Sequence, residues 1–547
     1  MITVASRYGG VSLADGTAIL DFEVKRVELR FRKLADRLLN FVDQPELLSI
    51  GASSLARFID EVGIDPMNSD APSSQGLENE FIEWMILDYI DPEFGAPVVS
   101  MFLESVDEDL ADWEYRSLEQ WVESAPSLYE IVDTISDDKL ILRDVVTDRS
   151  FTVIAPDMSV DALRWSLFMA RLLLVDDVYT VGSTAAALPR RMLSYVWRIM
   201  GHVYRSMKAR GFDGTWNDFL KLSTLNLMRL VRVFAEAWAG DGEDEDQDSV
   251  DDADDKLIRS VIPVLDADKA RSVLLGMDAV SAAGDDCFIW SKHPKDDDLA
   301  GVATIGRSDL AFAHVKDDCV RIYSTGRGAL TSLAHTLRRG LGEAAGARRR
   351  SGRAAKSEVD WALEQIDVAL EKLSLEHYST WPDQPMGVLQ GESPRSAISM
   401  ETGRKLVDEL LKDVEYHEAM KRRAGLPWID VNAMWREALG VEHYPDDEIV
   451  VWKPDKAGDV EALLERYMRM DGYSTEQIFA SAKMWNDYVT KAQPRVVHAR
   501  TWAAAVEYAS AIAQEEPVTQ AAVAEKYEVS VSTLGQRYRQ IVKCLNG

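Results

Sequence analysis

Six polar residues near the end of the chain, Ser532, Thr533, Gln536, Arg537, Arg539 and Lys543, have the types and spacing to touch nucleic acid. Hydroxyl and amide groups bond to base edges, and guanidinium and ammonium groups pair with phosphates. At 3.6 residues per turn Ser532, Gly535, Gln536, Arg539 and Lys543 share one helix face, while Leu534, Tyr538 and Ile541 lie on the opposite one. Ser530 is placed to cap that helix. Thr519 caps a shorter helix before it, which turns Val523 and Ala524 inward and ends in a sharp turn at Glu528. The pattern predicts a C-terminal helix-turn-helix whose second helix reads a major groove. Arg537, Arg539 and Lys543 would anchor phosphates, and Ser532, Thr533 and Gln536 would read shallowly. The same pattern fits a pair of helices that only packs, and Gly535 costs the second helix about 1 kcal/mol relative to Ala.

Charge narrows the choice of surface. The 547 residues include 92 acidic and 61 basic ones, a net charge of −31, so contact with phosphate must be confined to local basic patches. From Lys491 to Gly547 seven Lys or Arg face five Glu, which reverses the sign of the chain. Three cysteines, Cys287, Cys319 and Cys544, have no metal-ligand spacing, and the eight histidines form no HExxH-like group, so no cofactor, metal or catalytic centre is expected. The first ten residues lack an apolar leader core, and no run of about 18 apolar residues occurs; the expected setting is cytoplasmic, with no membrane contact.

The elements that must position these groups suggest a multidomain, mainly α protein with one or two small β-barrel or α+β units and the C-terminal helix-turn-helix. A helical domain over 1–126 carries the stripe Val27, Phe31, Leu34, Leu38 and Phe41; its acids Glu83 and Asp88 read as solvated faces. Over 127–185 the period changes to two, giving five strands of a small barrel. Its basic residues Arg143, Arg149 and Arg171 are too few for a nucleic-acid surface, so it reads as a spacer. A helical segment follows at 186–239, with Tyr195, Val196, Ile199, Met200 and Val203 on one stripe. An acidic linker at 240–256 lacks the Gly and Glu positions of a calcium loop. An α+β unit at 257–337 is expected to have a helix over 256–277, strands that include 299–306, and a helix over 326–341. Next comes a basic linker at 338–357 with Arg338, Arg339, Arg348, Arg349, Arg350, Arg353 and Lys356, fit either for phosphates or for docking on the protein's own carboxylates. Helices return over 358–445 and over 470–547.

Two strings resemble known families. Trp381, Pro385, Leu389, Gly391, Ser393, Pro394 and Gly403 resemble the toxin-binding half of Xre/MbcA/ParS-type antitoxins. That resemblance implies a protein partner held through Trp381, Pro385, Leu389 and Gly391; a turn motif reused for packing is the other reading. Helices over 475–488 and 496–512, with the segment that follows, resemble the last cyclin-like repeat of transcription factor B. The chain is thus expected to be a non-enzymatic regulatory or adaptor protein bound to DNA or RNA, or a protein-interaction scaffold whose helix-turn-helix only packs.

Overall fold

Alternating apolar residues after residue 125 close into a barrel. In the computed structural model β1 (Pro126–Ser136), β2 (Lys139–Asp144), β3 (Ser150–Ile154), β4 (Leu167–Val175) and β5 (Val178–Leu188) bond in the order β1-β2-β3-β5-β4. All pairs are antiparallel except β3 with β5. Ile131, Leu140, Leu142, Val153, Phe168 and Ala170 share the barrel core. The alternate positions Leu167, Met169 and Leu173 pack with the helices around it. The structure describes residues 22–64, 66–67, 77–105, 110–136, 138–159, 162–188, 190–240, 257–277, 279–284, 286–291, 307–345, 352–353, 356–430, 439–440, 458–494, 496 and 498–545. The acidic segment 241–255 and the expected strand 299–306 lie outside them, as do Arg348, Arg349 and Arg350.

The chain divides into two units, 1–244 together with 453–547, and 245–452. In the first, α1 (Phe22–Val42), α2 (Leu48–Val62), α3 (Leu77–Leu87), α4 (Val98–Ser105) and α5 (Asp112–Glu123) precede the barrel. The short α6 (Pro156–Ser159) lies between β3 and β4, and α7 (Leu193–Ala209), α8 (Trp216–Leu222) and α9 (Thr224–Gly240) follow β5. Glu83 and Asp88 are buried, not solvated. They pair with Arg171, which projects from β4 with Nε 3.2 Å from Glu83 and also bonds Asp88. Arg171 Nη1 donates to the Ser124 carbonyl at 2.7 Å, and Thr224 donates to Asp88 at 2.9 Å. Burial pushes the Asp88 carboxyl up, outweighing the neighbouring guanidinium. Arg143 and Arg190 both pair with the buried Glu130. Arg171, Arg143 and Arg190 are thus engaged by buried carboxylates of the unit, whereas Arg149 is exposed and lies over the Phe151 ring.

The second unit holds β6 (Ile258–Pro263), α10 (Ala267–Leu275), β7 (Val280–Gly284), β8 (Cys287–Ser291), β9 (Leu310–Val315), β10 (Cys319–Ser324), α11 (Arg327–Leu341) and β11 (Gly352–Arg353). Its antiparallel sheet runs β11-β6-β10-β9-β8-β7. The helix expected over 256–277 is in fact β6 followed by α10, whose start is capped by Asp266. One sheet face packs on Leu333 and Leu337 of α11. The other packs on Ala362, Ile366 and Leu370 of α12 (Lys356–Thr380). The short α13 (Pro394–Ala397) and α14 (Glu401–Arg423) follow.

Five helices complete the first unit: α15 (Gly458–Met470), α16 (Thr475–Ala492), α17 (Ala499–Ala513), α18 (Gln520–Lys526) and α19 (Val531–Leu545). Their core contains Leu464, Tyr473, Trp485, Trp502, Tyr527 and Leu534. They join α7 through a polar contact. Arg205 lies 3.8 Å from the Tyr473 ring centre, pairs with Glu516 at 2.7 Å and donates to the Gly472 carbonyl at 3.1 Å. Gln477 and His202 also reach Glu516, at 2.8 and 3.1 Å, and the Trp197 indole donates to Gly472 at 3.1 Å. Of the stripe expected on α7, Val196 and Met200 are buried, whereas Ile199 and Val203 are exposed; the joint is made from Trp197, Gly201, His202 and Arg205.

Two glycines set the closeness of this joint. A Cβ on Gly201 would lie 2.1 Å from the Gly472 oxygen, and Gly472, at φ 71°, would place one 2.3 Å from Trp216. Gly201→Ala and Gly472→Ala should each cost about 1–3 kcal/mol in urea unfolding followed by tryptophan fluorescence. Gly51→Ala, where nothing lies within 4 Å, is the control and should be neutral or stabilising. Equal midpoints for all three variants would refute the glycine requirement.

Candidate functional site

Local hydrogen bonds build the α18–α19 pair as its sequence demands. Thr519 accepts from the Ala522 amide at 3.2 Å, and Ser530 accepts from Thr533 at 3.1 Å, so each helix has its expected cap. Between them Glu528 takes φ 55° and the Val529 amide returns to the Ala524 carbonyl at 2.8 Å. Val523, Ala524, Leu534 and Ile541 are buried, and Tyr538 meets Tyr508 edge-on at 5.1 Å.

Ser532, Gln536, Arg539 and Lys543 form one exposed stripe along α19, with Gln540 beside it. Arg539 and Lys543 make no ion pair among the described residues. The other two expected contacts are engaged within the chain. Thr533 is half-buried with its hydroxyl 2.6 Å from Ser530, and Arg537 stacks 4.4 Å from the Trp502 ring centre while donating to Gln540 at 2.9 Å. Gly535, expected on the open face, is buried facing Gln520 of α18. Trp502 and Gln540 are site residues that spacing alone does not reveal, since a helix period gives a face and not its neighbours.

The end of α18 carries a charged anchor. Lys526 Nζ is 2.6 Å from both Asp471 and Glu507, and Tyr527 donates to Glu507 at 2.7 Å. Burial works to lower the Lys526 pKa, but Glu507 and Asp471 outweigh it and hold the ammonium above the usual lysine range. Burial and the Glu507 carboxylate push the Tyr527 phenol well up.

The second set of expected contacts is split by depth. Trp381 and Leu389 are buried, whereas Pro385 and Gly391 are exposed on a tight turn in which the Gly391 amide bonds Met386 at 2.8 Å. Gly391 takes φ 79°, and Ser393 caps α13. Asp383 and Arg395 brace the turn at 2.7 Å. Only backbone and small side chains of the four are open to a partner. Among the described residues no group of His, Cys, Asp or Glu is arranged to hold a metal, and no helix is long and apolar enough to cross a membrane.

Two outcomes test this geometry. Gly535→Ala should stabilise the protein by about 1 kcal/mol, because the new Cβ would meet Gln520 only at 3.5 Å, whereas Arg537→Ala should lose about 1–2 kcal/mol of stacking. Thermal unfolding reads both, and destabilisation by the alanine at 535 would contradict the packing described. For Lys526, stabilisation is complete below the ordinary lysine value of about 10.4 and is lost as pH rises through its higher folded value. Melts at rising alkaline pH should show that loss in the parent. Lys526→Met should show a smaller loss, with that from Tyr527 remaining, and be about 3–5 kcal/mol less stable at neutral pH.

Comparison with known proteins matches residues 61–210, from the end of α2 through the barrel to α7, to a family of unknown function, DUF7986. The chain is also 37% identical over 98 residues to the uncharacterized protein YccF of Bacillus subtilis (strain 168). That match covers 18% of this chain and 27% of the relative, so the chain spans about a quarter of the length of the curated protein it matches. No solved structure matches the chain.

Proposed function

We propose that this chain is a nucleic-acid-associated regulatory or adaptor protein, with α18 and α19 as a helix-turn-helix that contacts DNA or RNA. The observation that carries this reading is the exposed stripe Ser532, Gln536, Arg539 and Lys543, with two cations that have no ion pair among the described residues of a chain of charge −31. Cations held without internal partners are free to displace counterions from phosphate. Arg539 and Lys543 bind the backbone, Ser532 and Gln536 meet base edges, and Arg537 and Thr533 hold the helix in place from the flank. The scaffold reading draws on the engagement of Glu516 and Lys526 by Arg205, Asp471 and Glu507, which ties the helix pair into the body of the protein. Burial of Trp381 and Leu389 argues against an antitoxin-like grip through those side chains.

Purification of the intact protein from its own cells, with and without nuclease, followed by binding measurements on the recovered nucleic acid, tests the proposal. Arg539→Ala with Lys543→Ala should weaken binding at least tenfold and flatten the dependence of log K on log salt by about 2. Arg537→Ala should act mainly through stability. Recovery of a stoichiometric protein partner with no nucleic acid would overturn the reading in favour of a scaffold.

A further inference from the structure

A second basic surface lies in the other unit. The sequence of α11 contains no acidic residue, and its buried side is Ala329, Leu330, Leu333, Leu337 and Leu341. Its open side carries Arg327, Thr331, Ser332, His335 and Arg339, with Arg338 half-buried at the flank. Arg338 and Arg339, expected at the start of a flexible linker, are fixed in the last turn of this helix. None of the three arginines makes an ion pair among the described residues. Other arginines of the same unit are paired: Arg271 with Asp268 and Asp286, and Arg307 with Asp367 at 2.6 Å. Three guanidinium groups without ion pairs on one helix face make a local basic patch on an acidic chain, which attracts anions.

The chemistry of the face selects the kind of anion. None of the protein's large exposed hydrophobic residues lies on α11, so the surface has no apolar anchor of the kind that dominates protein interfaces. Its relief is low, since Gly328, Thr331 and Ser332 sit between the arginines, and the hydroxyls donate to phosphate oxygens. From Arg327 to Arg339 the helix rises about 18 Å, roughly half a turn of duplex. We propose that the open face of α11 binds the phosphate backbone of duplex nucleic acid without reading its sequence. The site is independent of α19: one reads base edges along a stripe with an exposed amide, and the other offers only charge and hydroxyls.

The test uses the full-length protein and a labelled 30-base-pair duplex of random sequence. Arg327→Gln, Arg338→Gln and Arg339→Gln are combined, with an all-lysine triple variant as the charge-preserving control. The glutamine triple should weaken binding about tenfold or more at low salt and flatten the salt slope by about 2 to 3, while the lysine triple keeps the slope. Unchanged affinity and slope in a glutamine triple that melts like the parent would overturn the proposal. So would competition by polyglutamate equal to that by DNA per unit charge, which would assign the face to an acidic protein. The Arg539→Ala, Lys543→Ala variant is measured alongside. Loss confined to that variant sinks the α11 site and leaves the α19 reading standing; loss confined to the glutamine triple does the reverse.

Discussion

The Arg205 guanidinium is the contact on which the first unit depends. It joins a helix that follows the barrel to a glutamate 311 positions later, and the stacked Tyr473 ring shields it from water. A buried guanidinium is tolerable only when its hydrogen bonds are met, and here they are met by one carboxylate and by backbone carbonyls at Asp471 and Gly472. Glu516 precedes α18 by four positions, so whatever fixes Glu516 also fixes where the α18–α19 pair begins. The family match ends at residue 210, just beyond Arg205, and therefore includes the barrel and one half of this joint.

The same economy of charge recurs across the chain. Arg171, Arg143 and Arg190 are each consumed by buried carboxylates, and Lys526 by two. Arg327, Arg338 and Arg339 of α11 and Arg539 and Lys543 of α19 are among the described cations that make no ion pair. In a protein with a large acidic excess, a basic group kept away from the abundant carboxylates is kept so by geometry. It sits on a rigid helix face whose neighbours are hydroxyls, amides or glycine.

Much of this was legible in the sequence where the signal is local. Caps at Thr519 and Ser530, the turn at Glu528 and the alternation of the barrel strands all arise from residues a few positions apart. What was not legible depends on distant partners. Glu83 and Asp88 read as solvated because nothing near them in sequence is basic; their partner Arg171 lies in β4, and a lone arginine inside the apolar run 167–175 was the available hint. The segment 256–277 looked like one helix because β6 and α10 are both apolar, although Pro263 and Asp266 mark the break. On α7 the expected stripe finds Val196 and Met200 but misses Trp197, Tyr204 and Arg205, because a buried cation at the edge of the contact side reads as solvent-facing.

The first unit is discontinuous in sequence, with residues 245–452 lying between its two parts. During synthesis the barrel and its helices emerge first, while the residues that accept Arg205 come 266 to 311 positions later, about 13 to 60 s at ordinary elongation rates. Over that interval α7 carries a guanidinium without the partners that bury it. Burial of that site therefore waits on synthesis of Glu516, so a ribosome that stalls short of Glu516 leaves a product marked by its own unfinished joint.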